Sequence, residues 1–403
     1  MLTPSQIEFV KATIPVLQEH GVLLTTHFYA RMFRDNPELK QIFNRGHQEA
    51  GQQQHALAGA VLAYAQHIEN PGVLAPVLTR IANKHVSLGI RAEHYPIVGG
   101  HLLASIREVL GDAASDELIE AWAAAYGQLA DTLIAEENVL FSQSALKRGG
   151  WTGWRAFKVA RKTAESEEIT SFYLQPADQG PVPDYLPGQY ISVRMFVPEW
   201  NLMQPRQYSL SDAPGGDMLR ISVKREAAGE TTPAGRVSNL LHDTLNEGDL
   251  IDLAPPCGDF FLHSERSTPV VLISAGVGLT PVLSMLNHLV KTQSPREIRF
   301  LHATRNGKTH AMRNQVNRIA AECDNVAKVV FYETVETGDV AGRDYDHGGR
   351  MDLAAIAAQA ILPDADYYLC GPLPFMRAQH AALLALGVKA ARIHAELFGT
   401  GGL

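Results

Sequence analysis

Arg206-Gln207-Tyr208-Ser209-Leu210 lies near the middle of the 403-residue chain, where one sequence pattern gives way to another. The pattern before it is helical, short alternating strands surround it, and strands alternate with helices after Pro269. In a strand, the planar fork of Arg206 can pair with a phosphate, the Tyr208 ring can stack on a flat ring system, and the Ser209 hydroxyl can hydrogen-bond its edge. We interpret this stretch as a flavin-binding strand, although any half-buried strand can carry the same residue types.

The composition narrows the class of protein. A formal net charge of -8 without a long basic run argues against nucleic acid or an anionic membrane as the main partner. The longest apolar stretch, Pro269 to Leu286, is broken by glycine, serine and proline, which is typical of a strand, a turn and a helix rather than a membrane span. The N-terminus has no signal-peptide pattern, and Cys257, Cys323 and Cys370 have no metal-binding spacing. We expect a cytoplasmic protein of two or three domains.

The segment from Thr3 to Leu146 has helical periodicity and no alternating strand pattern, so an all-α domain is predicted. Within it, His85 falls on the apolar stripe of a helix that is predicted to end at Gly89. A buried imidazole costs free energy unless its nitrogens find partners. On this helix alone, His85 can be a core histidine bonded to a carbonyl group or a metal ligand.

Glu137 changes the balance between these alternatives. It shares a face of the last long helix with Trp122, Tyr126 and Leu133, so a carboxylate is predicted among buried aromatic groups. A buried carboxylate needs a hydrogen-bond donor, and Tyr95 could link it to the histidine. A histidine that binds haem iron commonly has its outer nitrogen held by such groups.

Several blocks of the helical segment carry a specific pattern. They are His27-Phe28-Tyr29 to Phe33, Asn36 to Phe43, Gly51-Gln52-Gln53, Ile81-Ala82-Asn83-Lys84-His85 and Tyr95-Pro96-Ile97-Val98-Gly99. These blocks resemble the globin domain of bacterial flavohaemoglobins. The resemblance implies that His85 is the proximal ligand of the haem iron, with Tyr95 and Glu137 as its hydrogen-bonded relay. It also implies that Tyr29 and Gln53 lie over the distal face and that the haem is contacted by Phe43, Leu57 and Lys84. Gly100 and Phe141 depart from the expected Glu and Tyr.

After the short join at Arg148-Gly149-Gly150-Trp151, the period changes to that of short strands. The predicted strands are Phe157 to Thr163, Ile169 to Gln175, Gln189 to Val197, Gln207 to Ser211, Leu219 to Lys224 and Leu250 to Leu253. Such spacing predicts an antiparallel β-barrel. A helical piece from Val237 to His242 follows Gly235, and its free N–H groups can seat a diphosphate.

Four ordered motifs of this region form a second resemblance. They are Pro187-Gly188-Gln189-Tyr190, Arg206 to Ser209, Ile221 to Glu226 and Gly235-Arg236-Val237-Ser238. They are similar to the FAD-binding domain of the ferredoxin-NADP reductase superfamily. The resemblance implies that FAD is bound by Tyr190, Arg206, Gln207, Tyr208, Ser209, Lys224, Glu226, Val237 and Ser238. An insertion at residues 230–234 lengthens the loop before the diphosphate turn.

The last segment alternates strands with helices, which predicts a parallel sheet. Strands are expected at Val270 to Ser274, Ile298 to His302, Val329 to Tyr332, Tyr367 to Leu369 and Ile393 to Ala395, and helices at Val282 to Val290 and from near Thr309, Asp352 and Pro374. A glycine-rich turn follows the first strand, and the later Cys370-Gly371-Pro372 should meet it at the carboxyl edge of the sheet. A lone Gly-x-Gly can also be a plain tight turn.

The two turns together resemble the NAD(P)-binding half of the same superfamily. The implied nucleotide-binding residues are Ala275, Gly276, Val277, Gly278, Leu279, Thr280, Cys370, Gly371, Pro372, Glu396, Leu397, Phe398 and Gly399. Ala395 and Thr400 depart from the Tyr and Pro expected beside the terminal motif. Cys370 can equally be a small buried hydrophobe.

The predicted domains are a globin at 1–147, an FAD-binding barrel at 148–264 and an NAD(P)-binding domain at 265–403. A nicotinamide gives up two electrons at once and a haem accepts one, so a flavin between them converts one transfer into the other. The resemblance to flavohaemoglobins implies a nitric oxide dioxygenase that forms nitrate from NO and O2 with haem b, FAD and NADH or NADPH. We expect a monomer, although the residues leave the oligomeric state open. The alternatives are a flavohaem oxidase or reductase acting on O2, peroxides or ferric compounds, and a haem-based sensor. The choice of nucleotide and a lipid in the distal pocket stay open.

Overall fold

The computed structural model describes residues 2–230 and 232–399. The departure at Thr400, and Thr231 in the insertion, lie outside the described residues. The chain divides into two compact units, of which the first contains residues 1–147, 151–154 and 192–206 and the second contains 148–150, 155–191 and 207–403. Among the helices of the described residues, none is long and apolar enough to cross a membrane.

The first 147 residues are helical, as predicted. The helices are α1 (Pro4–Ala12), α2 (Ile14–Asp35), α3 (Arg45–Glu49), α4 (Gln52–Gln66), α5 (Ala75–Leu88), α6 (His94–Leu110) and α7 (Asp116–Leu146). Their ends follow local chemistry: the Ser115 hydroxyl accepts from Leu118 N at 3.2 Å and begins α7, and Gly89 ends α5 with φ 75°.

Three helix pairings position the side chains of interest in this part. Helix α2 packs on α4 and α6, and α5 packs on α7. Gly99 allows α6 to approach α7 closely, because a Cβ there would lie 2.5 Å from the Tyr126 ring. The Tyr126 hydroxyl donates to the carbonyl oxygen of Tyr95 at 2.7 Å. Tyr95 is thereby fixed in position beside α7.

The second part is an antiparallel sheet. Its elements are β1 (Arg155–Ala164), β2 (Ile169–Pro176), β3 (Tyr190–Val197), β4 (Leu202–Ser209), β5 (Leu219–Lys224), α8 (Arg236–Asp243) and β6 (Leu250–Leu253). The strand order is β4-β3-β6-β1-β2-β5, and a bridge between Leu210 and Ile221 joins the end of β4 to β5. This closure matches the predicted barrel. Strand β4 begins five residues earlier than predicted because Pro205 interrupts the alternating pattern that sequence analysis uses.

The third part is a parallel sheet with helices around it. Its strands are β7 (Val270–Ala275), β8 (Ile298–Thr304), β9 (Val326–Tyr332), β10 (His347–Gly348), β11 (Asp366–Cys370) and β12 (Ile393–Glu396), in the order β10-β9-β8-β7-β11-β12. Its helices are α9 (Leu279–Lys291), α10 (Arg313–Glu322), α11 (Ala357–Ala360) and α12 (Leu373–Ala385). The predicted alternation and parallel arrangement are confirmed.

Helix α9 begins at Leu279, three residues before the predicted Val282, and the starts of two later helices were predicted wrongly. The helix expected from near Thr309 begins at Arg313, because Asn306 caps a separate 3-10 turn and Met312 has a left-handed φ of 53°. The helix expected from near Asp352 is only Ala357–Ala360, because the Asp352 carboxylate accepts from two following backbone N–H groups and forms a turn instead. Strand β10 was not predicted.

Candidate functional site

His85 is held from behind by a carboxylate. Its Nδ1 lies 2.7 Å from Oε1 of Glu137, and the Tyr95 hydroxyl donates to the same oxygen at 2.5 Å. Glu137 is only 2% exposed, and a carboxylate only accepts hydrogen bonds, so Nδ1 of His85 is the donor of this bond and Nε2 is the ring nitrogen left for a metal. Burial, with the bond to Glu137, raises the pKa of Tyr95 well above its ordinary value. The structure thus brings the three predicted residues together.

Tyr29 and Gln53 lie on the packed pair α2 and α4. Tyr29 is 7% exposed, and burial raises its pKa while a hydrogen bond with the Gln48 side chain opposes that shift. Gln48 also donates through Nε2 to Oε1 of Gln53. The Tyr29 ring packs edge-on against Phe43 at 5.8 Å between centroids. Gln48 therefore lies near both predicted distal residues, although the sequence analysis did not identify it.

Gln48 had only a weak signal in the sequence. It lies five positions before Gln53, across the helix start at Gly51, and no helical or strand period relates the two. Only the fold of that turn brings their side chains together.

The helical part fits a flat apolar group with a metal at its centre. Phe43, Leu57, Ile81 and Val98 pack on the buried clusters and keep part of their own surface uncovered. An imidazole nitrogen with a lone pair is the ligand that haem iron takes in globins. Burial, with the nearby charges of Arg206 and Lys84, lowers the pKa of His47 to about 4. Lys84, which directly precedes His85, therefore lies near His47. These features are what a haem requires.

The predicted flavin residues Arg206, Gln207, Tyr208 and Ser209 follow one another on β4. The Arg206 guanidinium donates to the backbone oxygen of Pro205 at 2.7 Å. Ser209 is buried, and Gln207 and Tyr208 are partly buried. On β3, Tyr190 pairs with Cys257 through two backbone hydrogen bonds of 2.9 Å. The pairing of Arg206 with a diphosphate remains a prediction.

At the start of α8, the backbone of Gly235 packs closely against the side chains of Ser238 and Glu226. A Cβ at Gly235 would lie 2.6 Å from the Ser238 hydroxyl oxygen and 2.8 Å from Cβ of Glu226. The Glu226 N–H donates to that hydroxyl at 3.3 Å, and Lys224 pairs with the Glu226 carboxylate at 3.3 Å. Lys224, Glu226, Val237 and Ser238 thus surround one helix N-terminus, where backbone N–H groups favour an anion such as a diphosphate.

The two turns predicted to bind the nucleotide meet at the carboxyl edge of the parallel sheet. Cys370 at the end of β11 pairs with Ser274 near the end of β7. A Cβ at Gly278 would collide with the backbone of Cys370 and Gly371, so glycine is required for the approach. Helix α9 begins directly after Gly278 and turns its N–H groups to the same edge. This edge is where parallel sheets bind nucleotides.

The terminal strand adds Glu396 to the same edge. Glu396 is in register with Cys370, and the next residues, Leu397 and Phe398, follow the end of β12, with Phe398 48% exposed. Cys370 itself is fully buried, and burial raises the pKa of its thiol. A thiol in that state is a poor nucleophile, which favours the structural interpretation of Cys370 over a redox role.

Comparison with known proteins agrees with this architecture. Three family models match consecutive parts of the chain: globin at residues 26–133, the oxidoreductase FAD-binding domain at 156–262 and the oxidoreductase NAD-binding domain at 272–381. A flavohemoprotein of Bordetella parapertussis is 65% identical over 404 residues, which cover 100% of both chains.

Solved structures lead to the same family. A flavohemoglobin of Malassezia yamatoensis, crystallised with bound FAD and heme, matches with a TM-score of 0.85 at 30% identity and covers 99% of this chain and 100% of its own. The FAD/NAD-binding domain of a nitric oxide dioxygenase of Vibrio cholerae matches 61% of this chain and 98% of its own, with a TM-score of 0.55 at 43% identity. The chain belongs to the flavohemoprotein family, as an oxidoreductase with haem, FAD and a nicotinamide nucleotide as cofactors.

Proposed function

We propose that the protein is a nitric oxide dioxygenase, which forms nitrate from NO and O2 with electrons from NADH or NADPH. Each NO and O2 take up one electron to give one nitrate, so a two-electron nucleotide supports two turnovers. The observation that carries the proposal is the buried Tyr29 side chain on α2, the helix that packs against α4, which carries Gln53. A protein that only passes electrons to outside acceptors has no use for buried hydrogen-bond donors there.

The proximal side of the site prepares one nitrogen for iron. Bound haem supplies an iron that takes up dioxygen and single electrons, and bound FAD divides the electron pair of the nucleotide. Glu137 and Tyr95 hold the Nδ1 proton of His85, which fixes the ring orientation and raises the basicity of Nε2. The bonds keep this imidazole in the tautomer that a metal needs.

The distal side supplies neutral donors. Tyr29 is buried, and burial raises its pKa, so its hydroxyl stays protonated and can donate a hydrogen bond to a ligand as charge develops on it. Tyr29 packs among Phe28, Phe33 and Phe43, which exclude water from the hydroxyl. Because the surroundings are apolar, each such hydrogen bond is stronger than it is in water.

The other two domains would deliver the electrons. In this proposal the residues around the α8 N-terminus and Arg206 hold the FAD, and the turns at Gly276 and Gly371 hold the nucleotide. Glu396 and Phe398 would border the nicotinamide. The proposed boundaries are 1–147, 148–264 and 265–403.

Replacing Tyr29 tests the proposal. In Tyr29→Phe, nitrate formation under air with added NO should fall about 10- to 100-fold, since one hydrogen bond to a charged group is lost. Reduction of cytochrome c through the flavin should continue unchanged. Tyr64→Phe is the matched control, because the Tyr64 hydroxyl is also buried but donates to the carbonyl of Ala125. Unchanged nitrate formation in Tyr29→Phe would remove Tyr29 from the reaction, and a native protein that forms no nitrate would favour the oxidase or reductase alternative.

A further inference from the structure

Four polar side chains form a ring that joins the antiparallel barrel to the parallel-sheet domain. The barrel supplies Asp212, which follows β4, and Arg220 on β5, and the other domain supplies Asn287 on α9 and Gln315 on α10. Asn287 donates through Nδ2 to Oδ1 of Asp212 at 2.9 Å. Gln315 donates through Nε2 to Oδ1 of Asn287, also at 2.9 Å. Arg220 closes the ring, with Nη1 3.5 Å from Oε1 of Gln315 and Nε 3.8 Å from Oδ2 of Asp212.

The two charged members of this interdomain ring agree with the orientation of both amides. The Asp212 carboxylate accepts hydrogen bonds, so the Asn287 atom that faces it is the amide nitrogen. A guanidinium only donates, so the Gln315 atom that faces Arg220 is the amide oxygen. The remaining contact then pairs a donor on Gln315 with an acceptor on Asn287. Arg220 and Asn287 are buried, so water does not readily replace a contact that is lost.

One face of α9 holds the loop that follows β4. Ser284, Asn287 and Lys291 share this face, because they are spaced by three and four residues. The Ser284 hydroxyl donates to the backbone oxygen of Asp212 at 2.6 Å. The Lys291 ammonium donates to the backbone oxygen of Pro214 at 2.8 Å. Together with the bond from Asn287, these contacts fix the helix along the loop at three successive points.

These contacts lie close to both of the sites at which the cofactors are expected. Ser209, a predicted flavin residue, is three residues before Asp212, which is about 10 Å along an extended chain. Thr280, a predicted nucleotide residue, is four residues before Ser284, which is about 6 Å along the axis of α9. Fixing Asp212 against α9 therefore fixes the flavin strand relative to the nucleotide-binding turn.

We propose that the interdomain ring positions the nucleotide against the flavin for hydride transfer, with Asn287 as its central positioning residue. In that step the reduced nicotinamide gives a hydride, which is two electrons and a proton, to the flavin and is left oxidised. The reacting atoms must lie about 3–3.5 Å apart, and a displacement of about 1 Å can lower the rate about 100-fold. The inference rests on the FAD and nucleotide sites of the proposed function, and it does not depend on NO as the substrate.

The test compares two variants of the holoprotein. Asn287→Asp places a second carboxylate against Asp212, and the milder Asn287→Ala only removes the donor. In both, anaerobic stopped-flow reduction of the flavin by NADH should slow about 10- to 100-fold, with the larger effect in Asn287→Asp. The long-wavelength charge-transfer absorbance of the reduced flavin with bound NAD+ should also weaken, because it requires the two ring systems to be stacked. The Kd for NAD+ should not change, since both glycine turns stay intact.

A double variant separates positioning from a loss of stability. Asp212→Asn combined with Asn287→Asp exchanges the two groups, restores a donor opposite an acceptor, and should recover most of the rate and of the charge-transfer absorbance. Asn317→Asp on α10 is the matched control and should behave as the native protein, because that amide donates at 3.3 Å to the Arg343 carbonyl of its own domain.

Two results would overturn the positioning role. One is a native rate and native charge-transfer absorbance in either Asn287 variant, and the other is a loss that the double variant does not recover. Nitrate formation by the native protein judges the proposed function separately, because the ring acts before electrons reach the haem. Where that function holds, slower hydride transfer should leave the ratio of nitrate to nucleotide at its native value.

Discussion

His85 in the globin domain and His302 in the NAD-binding domain are both half of a hydrogen-bonded pair, yet their surroundings differ. His85 has a carboxylate behind Nδ1, and its side chain is 30% exposed. His302 is 1% exposed, its Nδ1 lies 2.9 Å from the Ser274 hydroxyl, and among the described residues its buried Nε2 has no hydrogen-bond partner. Burial lowers the pKa of His302 to about 4.

The difference shows what a ligand histidine needs. A carboxylate behind the ring holds the proton on the nitrogen that faces it, Nδ1, and the open side of the ring leaves room for a metal at the other nitrogen. His302 has a neutral hydroxyl beside Nδ1, lies on β8 between β7 and β9, and has the His310 ring at 5.4 Å between ring centroids. An unused imidazole nitrogen is therefore not sufficient evidence of a metal site, whereas an unused nitrogen opposite a buried carboxylate is much stronger evidence.

Removing the His85 imidazole should have the largest effect. In His85→Gly, haem affinity should fall by more than about 100-fold, beyond the range expected for loss of an outer partner alone. Added imidazole should restore the haem absorption bands, and FAD content should not change. Haem content and the Soret spectrum of the purified variant measure this. Retention of native haem affinity would show that another residue holds the iron.

The second prediction concerns pH and the buried histidine of the other domain. The folded pKa of His302, about 4, lies below the ordinary value of 6.5. Between these two pH values, His302 is protonated in the unfolded chain but not in the folded chain. This contribution to stability is present above pH 6.5 and is lost as the pH falls toward 4, by up to about 3 kcal/mol in the free energy of unfolding.

His302→Asn should remove that share of the pH dependence. Urea unfolding between pH 5 and 7.5, followed by the fluorescence of released FAD, measures it. His380→Asn on α12 is the control and should keep the native dependence. The same slope in His302→Asn as in the native protein would contradict the account of His302 as a neutral core residue.

Glu137→Gln tests whether the charge of the carboxylate beside His85 acts on the metal-binding nitrogen. The amide keeps the size of the carboxylate but removes its charge, so haem affinity should fall about 10- to 100-fold. The iron–histidine stretching frequency in resonance Raman spectra should also fall, because Nε2 becomes a weaker donor. Glu136→Gln, a neighbour on the same helix, should leave that frequency unchanged. An unshifted frequency in Glu137→Gln would mean that the carboxylate does not act on the ligand.

Tyr95→Phe should have the smallest effect of the series. It removes one of the two donors to Glu137 and leaves the bond from His85 in place. We expect a loss of about 1 kcal/mol, or about fivefold in haem affinity. A loss as large as that of Glu137→Gln would show that Tyr95 holds the carboxylate in position by itself. Haem transfer to apomyoglobin measures both variants on one scale.

Much of the fold follows from periodicity. The helical character of the globin part, the barrel strands and the alternating strands of the last domain other than β10 were predictable, because these segments have a clear period and marked ends such as Gly89. Prediction failed at Asp352, where the carboxylate accepts hydrogen bonds from the following backbone and forms a turn in place of a helix. It also failed at Pro205, which interrupts the alternating pattern inside strand β4.

The site was predictable where spacing carries information. Glu137 and Tyr95 could be tied to His85 because a buried carboxylate in a helix needs a donor. Gln48 could not be found, since its contacts depend on a tight turn and not on a period. The placement of Arg206 relative to a diphosphate depends on the bound cofactor, which no pattern in the chain supplies.

The most direct test of the proposed function is the ratio of nitrate formed to nucleotide oxidised by the holoprotein under air with added NO. One electron is needed for each nitrate and two come from each nucleotide, so the ratio should be about 2. Nucleotide oxidation that does not depend on NO and forms no nitrate would contradict the dioxygenase and establish the oxidase or reductase alternative.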